Sequence, residues 1–269
     1  MMSVVHEPPR NLLTDDPMPA IAREGWAIVV AFLAITLALA GVSLLFSKWA
    51  GLCVGGVGLV LSTWAIWFFR DPAREIPADP RKVISPADGV ISFVGRDQPP
   101  VELGIAPEAT AGMTRVSVFM NVFNVHVNRS PTAGKIVRIA YRPGKFFNAS
   151  LDKASEFNER LSLALALPNG QPMVVVQVAG LIARRIVCNV AEGAELKAGQ
   201  RFGLIRFGSR VDTYLPPGVA SRVSIGDVVV AGETVLATLA QDVPVARPAE
   251  EIEVITQEIA QEGQAREIA

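Results

Sequence analysis

Two uninterrupted apolar runs dominate the first part of the chain. Trp26 to Phe46 contains no charged residue, and a second run, Trp49 to Phe69, follows after only Ser47 and Lys48. The first would span about 31 Å as a helix, which matches the hydrocarbon core of a bilayer. So short a connection predicts a helical hairpin with both ends on one side. Within the second run, Gly51 and Gly55 have the GxxxG spacing that lets helices approach closely. Trp64, Trp67, Phe68 and Phe69 gather at its exit, where an interfacial aromatic belt belongs.

Past Arg70 the pattern changes to short β-branched runs punctuated by Gly, Pro and Asn. "GVISFVG", "TRVSVFMNV", "GKIVRIAY", "PMVVVQVAG" and "ARRIVCNV" all read as strands. Only Ser150 to Arg160 reads as helical in this region. Four segments result: a polar stretch over 1–24, the hairpin over 25–69, a β-rich domain over 70–243 and a polar tail over 244–269. One internal repeat is visible. "GAELKAG" (Gly193–Gly199) and "GDVVVAG" (Gly226–Gly232) share a G-x-x-x-x-A-G frame, each followed by an apolar strand. Paired Gly-bounded hairpins of this kind resemble the lipoyl/biotinyl sandwich, so the expected fold is mainly β, a sandwich preceded by the apolar hairpin. Architecture alone assigns no activity.

Composition sharpens the picture in three places. Half of the 269 residues are hydrophobic and the mean hydropathy is +0.35, in keeping with a membrane-attached chain. Net charge is −1, which supplies no field to attract nucleic acid. The two cysteines, Cys53 and Cys188, form no CxxC and have no histidine nearby, so neither a zinc site nor a disulfide scaffold is expected. Arg10, Arg23, Arg70, Arg74, Arg81 and Lys82 flank the hairpin, against Lys48 alone at its tip. The positive-inside bias then puts both ends, and the β domain, on the cytoplasmic side of the cell membrane. Two readings compete: a hairpin that lies in the interface without crossing, since four glycines weaken the second helix, and a cleaved signal peptide, because Ala38-Leu39-Ala40 resembles a processing site. Glu7, Asp15, Asp16 and Glu24 ahead of the run, and a second apolar segment behind it, speak against cleavage.

Three residues stand out as chemistry. In "GQRFGLIRFGSRVDTYLP" a bare Gly208-Ser209 pair separates two strand-like runs. A hairpin turn is the plain reading. The sharper one is that Ser209 attacks its own backbone in an N→O acyl shift, helped by a preceding residue without Cβ. His126 and His6 are the chain's two histidines. Alternation puts His126 on the face of Asn124 and Asn128, opposite Phe123, Val125 and Val127, either as a satisfied structural imidazole or as a general base. Asp88, in Pro86-Ala87-Asp88-Gly89, suits a turn equally well. Asp, His and Ser in this chain order can also make a triad, which is defined by geometry and not by order.

With these residues in place, "FFRDP", "ISPADG", "FNVHVNRSP", "GKFFNAS", "NER" and "FGS" together resemble the phosphatidylserine decarboxylase proenzymes, in the short bacterial and archaeal form. The resemblance covers Phe68 to Leu215 and includes a membrane-anchoring N-terminus. It implies self-cleavage between Gly208 and Ser209, leaving a large β chain (1–208) and a small α chain (209–269) as a heterodimer. Self-association of that pair is left open. It implies that Ser209 becomes a pyruvoyl group, with Asp88 and His126 as its partners in self-cleavage and with no metal. It implies conversion of phosphatidylserine to phosphatidylethanolamine with loss of carbon dioxide, the pyruvoyl ketone acting as electron sink. Arg129, Lys145 and Asn148 become candidates for the lipid phosphate. One departure is that long-form members carry an H-x-x-H pair, whereas His126 has Phe123 and Arg129 at those spacings. The alternative, a membrane-anchored lipoyl- or biotinyl-like carrier or adaptor, would as a carrier need a lysine at a hairpin tip between the repeats. That segment holds Arg201, Arg206, Arg210 and Arg222 but no lysine.

Overall fold

The computed structural model describes residues 21–147, 149, 157–180, 185–206 and 208–240. The polar N-terminal stretch up to residue 20 and the C-terminal tail lie outside them. The apolar runs form α1 (Arg23–Phe46) and α2 (Lys48–Phe68), broken only at Ser47, whose backbone is extended. Both helices are long and apolar enough to cross a membrane. Their contact face follows the glycines: a Cβ at Gly51 would collide with Leu44, and one at Gly58 with Thr36. An isolated bridge between Ile21 and Arg70, with Ala22 N–H donating to the Phe69 carbonyl at 2.7 Å, closes the base of the hairpin.

Among the described residues, the base of the hairpin packs against the rest of the protein. Val29, Ala65, Phe68 and Phe69 bury themselves against Leu204, with Trp64 and Val187 alongside. Most of the apolar surface beyond it, from Val30 through Leu61, is exposed. Every pairing between the named strands of the β domain is antiparallel. Its strands are β1 (Lys82–Ile84), β2 (Gly89–Arg96), β3 (Thr114–Met120), β4 (Val127–Arg129), β5 (Gly134–Arg142), β6 (Arg160–Ala166), β7 (Pro172–Val178), β8 (Ile186–Cys188), β9 (Glu195–Leu196), β10 (Arg201–Ile205), β11 (Ser209–Leu215), β12 (Val228–Val229) and β13 (Val235–Thr238). Eight of them form one sheet in the order β12-β2-β3-β11-β7-β6-β5-β9. Smaller sheets β4-β10-β8 and β1-β13 cover it, and one core joins all three, from Val118, Leu163, Val175 and Val211 to Ile205 and Leu236.

The repeat has a structural meaning. Its first copy contains β9 and its second β12, which are the two edges of the large sheet, each followed by a strand (β10, β13) in a covering sheet. Gly193, Gly199, Gly226 and Gly232 all have φ between 74° and 96°, so the frame is set by turns that only glycine enters at low cost. The fold is thus mainly β behind an apolar hairpin, as the pattern predicts. Two local expectations change. Arg160, expected at the end of a helix, opens β6, and Asn158 forms a bridge to Lys145; residues 150–156 lie outside the described chain. The His126 segment is buried on both faces, His126 and Asn128 on one and Val125 and Val127 on the other, with Phe123 exposed at its start.

Candidate functional site

β10 belongs to a covering sheet and β11 to the centre of the large sheet, so the chain crosses between layers over residues 205–209. Gly208 sits at this crossing with φ 63°, a left-handed conformation suited to glycine. Its carbonyl oxygen rests on Gly180, where any Cβ would collide with it. Ser209 then starts β11 opposite Met120 of β3. The Ser209 side chain is fully buried, and its Oγ has no hydrogen-bond partner among the described residues. A buried hydroxyl normally finds a partner, so this one is left available for something other than packing.

His126 precedes β4, on the strand that pairs with β10. The Gly208 N–H lies 3.4 Å from its Nε2, and its Nδ1 lies 3.0 Å from the Asn124 carbonyl oxygen. The amide can only donate and the carbonyl only accept, so Nδ1 carries the proton and the Nε2 lone pair faces Gly208-Ser209. Phe68, the last residue of α2, lies against the imidazole with ring centroids 4.1 Å apart. Burial pushes the His126 pKa down to about 4, opposed by the Asn124 hydrogen bond and reinforced by the Arg70 charge. The ring is therefore a neutral base at physiological pH.

Asp88 lies between β1 and β2. Its carboxylate accepts from Arg74 Nη2 at 3.0 and 2.9 Å and from the Ala231 N–H at 2.7 Å. The structure thus brings Gly208, Ser209 and His126 together, while Asp88 is bonded to Arg74 and the second repeat turn. Asn124, and not Asp88, holds the imidazole. Asp88 reaches the site through charge, because it acts on Arg70, which in turn acts on His126.

The phosphate candidates separate. Arg129 is buried, with Nη2 2.6 Å from Asp71 and further bonds to the Pro72 and Gly199 carbonyls. Asp71 also accepts from Arg201 at 2.8 Å, so these charges tie the segment after α2 to β4 and β10. Lys145 is exposed, with Nζ 5.9 Å from the centre of the Phe147 ring. Its loop is held by Asn158, which bonds the Phe147 backbone at both N–H and carbonyl and also the Ala179 carbonyl. Asn148 lies outside the described residues. No cluster able to hold a metal occurs among the described residues.

Three contributors were not assigned from sequence: Phe68 over the imidazole, the Asn124 carbonyl, and Gly180 beneath the Gly208 carbonyl. Phe68 stands in "FFRDP", where it reads as interfacial, and a backbone carbonyl leaves no trace in composition. A sequence profile described as phosphatidylserine decarboxylase matches residues 61–237. A phosphatidylserine decarboxylase proenzyme of Cereibacter sphaeroides is 54% identical over 217 residues, covering 81% of this chain and 89% of that protein. Proteins of the same name from Ruegeria pomeroyi and Paramagnetospirillum magneticum are 54% and 52% identical, covering 80% and 81% of this chain and 94% and 87% of their own.

Proposed function

Because the chain belongs to the phosphatidylserine decarboxylase family, which sets its reaction as the conversion of phosphatidylserine to phosphatidylethanolamine and carbon dioxide, we propose that Gly208-Ser209 is its self-cleavage site and His126 the base. The observation that carries this reading is the unprotonated His126 Nε2, engaged by the Gly208 N–H at 3.4 Å, next to a buried Ser209 Oγ with no partner among the described residues. His126 takes the hydroxyl proton as Oγ bonds the Gly208 carbonyl carbon, and returns it to the Ser209 nitrogen as the Gly208–Ser209 C–N bond breaks to leave the ester. Gly180 leaves room for the carbonyl oxygen, and Asn124 fixes the tautomer. Asp88 acts as a positioning residue, bonding Arg74 and partly offsetting the charge of Arg70, which lowers His126 basicity.

An orphaned buried hydroxyl at the head of a central strand fits conversion of Ser209 into a pyruvoyl group. When formed, that group supplies a ketone able to bind the substrate amine and accept the electrons left by carbon dioxide. β11 holds it between β3 and β7. The small chain would stay bound, since it contributes β11 to the middle of the large sheet, β12 to its edge and β13 to a covering sheet. The exposed apolar hairpin would place this site at the cytoplasmic face of the membrane.

Intact-mass measurement of the purified protein tests the reading. Chains of 1–208 and 209–269 are expected, the smaller blocked to Edman degradation. Ser209→Ala is expected to stay one chain and release no carbon dioxide. A Ser209→Ala variant with full decarboxylase activity would end the proposal.

A further inference from the structure

Arg70 follows α2 directly and lies beside the site without belonging to the self-cleavage machinery. Its Nη1 donates to the Trp67 carbonyl at 2.7 Å and its Nη2 to the Phe123 carbonyl at 2.9 Å. Its guanidinium carbon lies 4.2 Å from the centre of the Trp67 ring. Among the described residues these are its direct partners, and no carboxylate forms an ion pair with it. Its neighbour in charge, Asp88, is bonded by Arg74 instead. Arg70 is therefore a held cation with no directly bonded carboxylate and with remaining N–H donors.

Its surroundings open outward. Trp67, whose ring lies under the guanidinium, is 55% exposed, and Phe123, whose carbonyl holds it, is 64% exposed. On the inner side, the loop bonded at Phe123 runs directly into His126, and Phe68, two residues before Arg70, lies on the imidazole. The position is also the end of the apolar hairpin, where Trp67 would sit at headgroup depth. Arg129, the other arginine considered for an anion, is consumed by Asp71.

We propose that Arg70, framed by Trp67 and Phe123, binds the phosphodiester of the phospholipid substrate at the mouth of the site. This rests on the decarboxylase reading above and adds a ligand to it. The substrate has two oxyanions, and chemistry selects between them. The carboxylate loses its charge as carbon dioxide departs, so a guanidinium on it would stabilise the ground state more than the transition state. The phosphodiester keeps its charge throughout, and one ester oxygen and two carbons separate it from the reacting amine. Binding it contributes equally to both states, so Arg70 acts on KM and not on kcat.

The test uses the full-length enzyme with monomeric dihexanoyl phosphatidylserine, so that vesicle attachment plays no part. Self-cleavage of each variant is followed by intact mass. Arg70→Gln is expected to raise KM by about tenfold or more, the loss of charge-assisted hydrogen bonds, with kcat within about twofold. Dihexanoyl phosphatidylethanolamine, which keeps the phosphodiester and lacks the carboxylate, should inhibit the variant more weakly by the same factor. Arg70→Lys, which keeps the charge and loses the fork, should fall between; it carries the same comparison if the Gln variant stays uncleaved. An unchanged KM overturns the proposal, and so does a raised KM with undiminished inhibition by the ethanolamine lipid, which would assign Arg70 to the carboxylate. A merely interfacial arginine would alter activity on vesicles alone. Absence of cleavage or turnover in the unmodified protein would instead strike the decarboxylase reading itself.

Discussion

The imidazole of His126 is covered by Phe68, bonded at Nδ1 to the Asn124 carbonyl, and held at a pKa of about 4 chiefly by burial. Two consequences follow at the scale of this residue. An unfolded imidazole titrates near its ordinary value of 6.5, so between 4 and 6.5 the unfolded chain binds more protons than the folded one. The contribution of His126 to stability is therefore full above about pH 6.5 and is lost as the pH falls towards 4. The base itself stays neutral over the same window. Self-cleavage of freshly refolded proenzyme, followed by intact mass, is expected to keep its rate from pH 8 to about 5 and to fall only as the pH nears 4. A decline centred at 6.5 would show that the imidazole is not buried when it works. His126 was visible in the sequence as a candidate because histidines are so few. That both faces of its segment are buried was not, since alternation shows which residues share a face and not which faces meet water.

Among the elements, α2 has two roles along one length. Its outer turns present apolar residues outward, and its last turn packs Ala65 and Phe68 into the β domain. Phe68 joins the hairpin to the base at His126. Phe68→Ala would remove a buried aromatic, at a cost of about 3–5 kcal/mol by analogy with other cores. It would also admit water to the imidazole and let its pKa rise towards the ordinary value. The expected outcome is a lower thermal midpoint together with a self-cleavage profile whose acid limb moves above pH 4. Phe68→Leu, which keeps the site covered, should move the limb less. A destabilised Phe68→Ala variant with an unmoved acid limb would make Phe68 a packing residue only. The hairpin itself was legible because uninterrupted apolar runs of this length have few other uses. The β6 strand was not, because its neighbours at Ser150–Arg160 carry helix-forming residues and pairing with β5 and β7 overrides local propensity.

At the scale of the whole molecule, the apolar hairpin and the β domain share a wall. From sequence, a chain beginning near Phe69 would keep Asp88, His126 and Ser209 and would be expected to cleave itself. The structure changes that expectation, because such a chain loses Phe68 and strips the cover from Leu204 and Val187. It is expected to be poorly soluble and slow to self-cleave. A better-placed cut replaces residues 34–60 with a short flexible linker and keeps the packed base of both helices. That protein is expected to cleave as the full chain does and to act on dispersed short-chain phosphatidylserine, while losing most activity on vesicles. Equal vesicle activity of the shortened and full chains would show that the outer hairpin is not what brings the site to its substrate.

By itself the sequence determined the apolar hairpin, the β-rich domain, the turn-framed repeat and the short list of Asp88, His126, Gly208 and Ser209. These are local properties: run length, alternation, glycine placement and the scarcity of a residue type all survive in one dimension. The tertiary structure alone decided that the two repeats cap opposite edges of one sheet, that Arg129 is buried against Asp71, and that Asp88 bonds Arg74 while Asn124 orients the imidazole. It also decided that the end of the apolar hairpin covers His126. Each of these joins residues far apart in the chain or uses a backbone group. Such partnerships are settled by which surfaces the packed sheets bury together, and no periodicity along the chain records them.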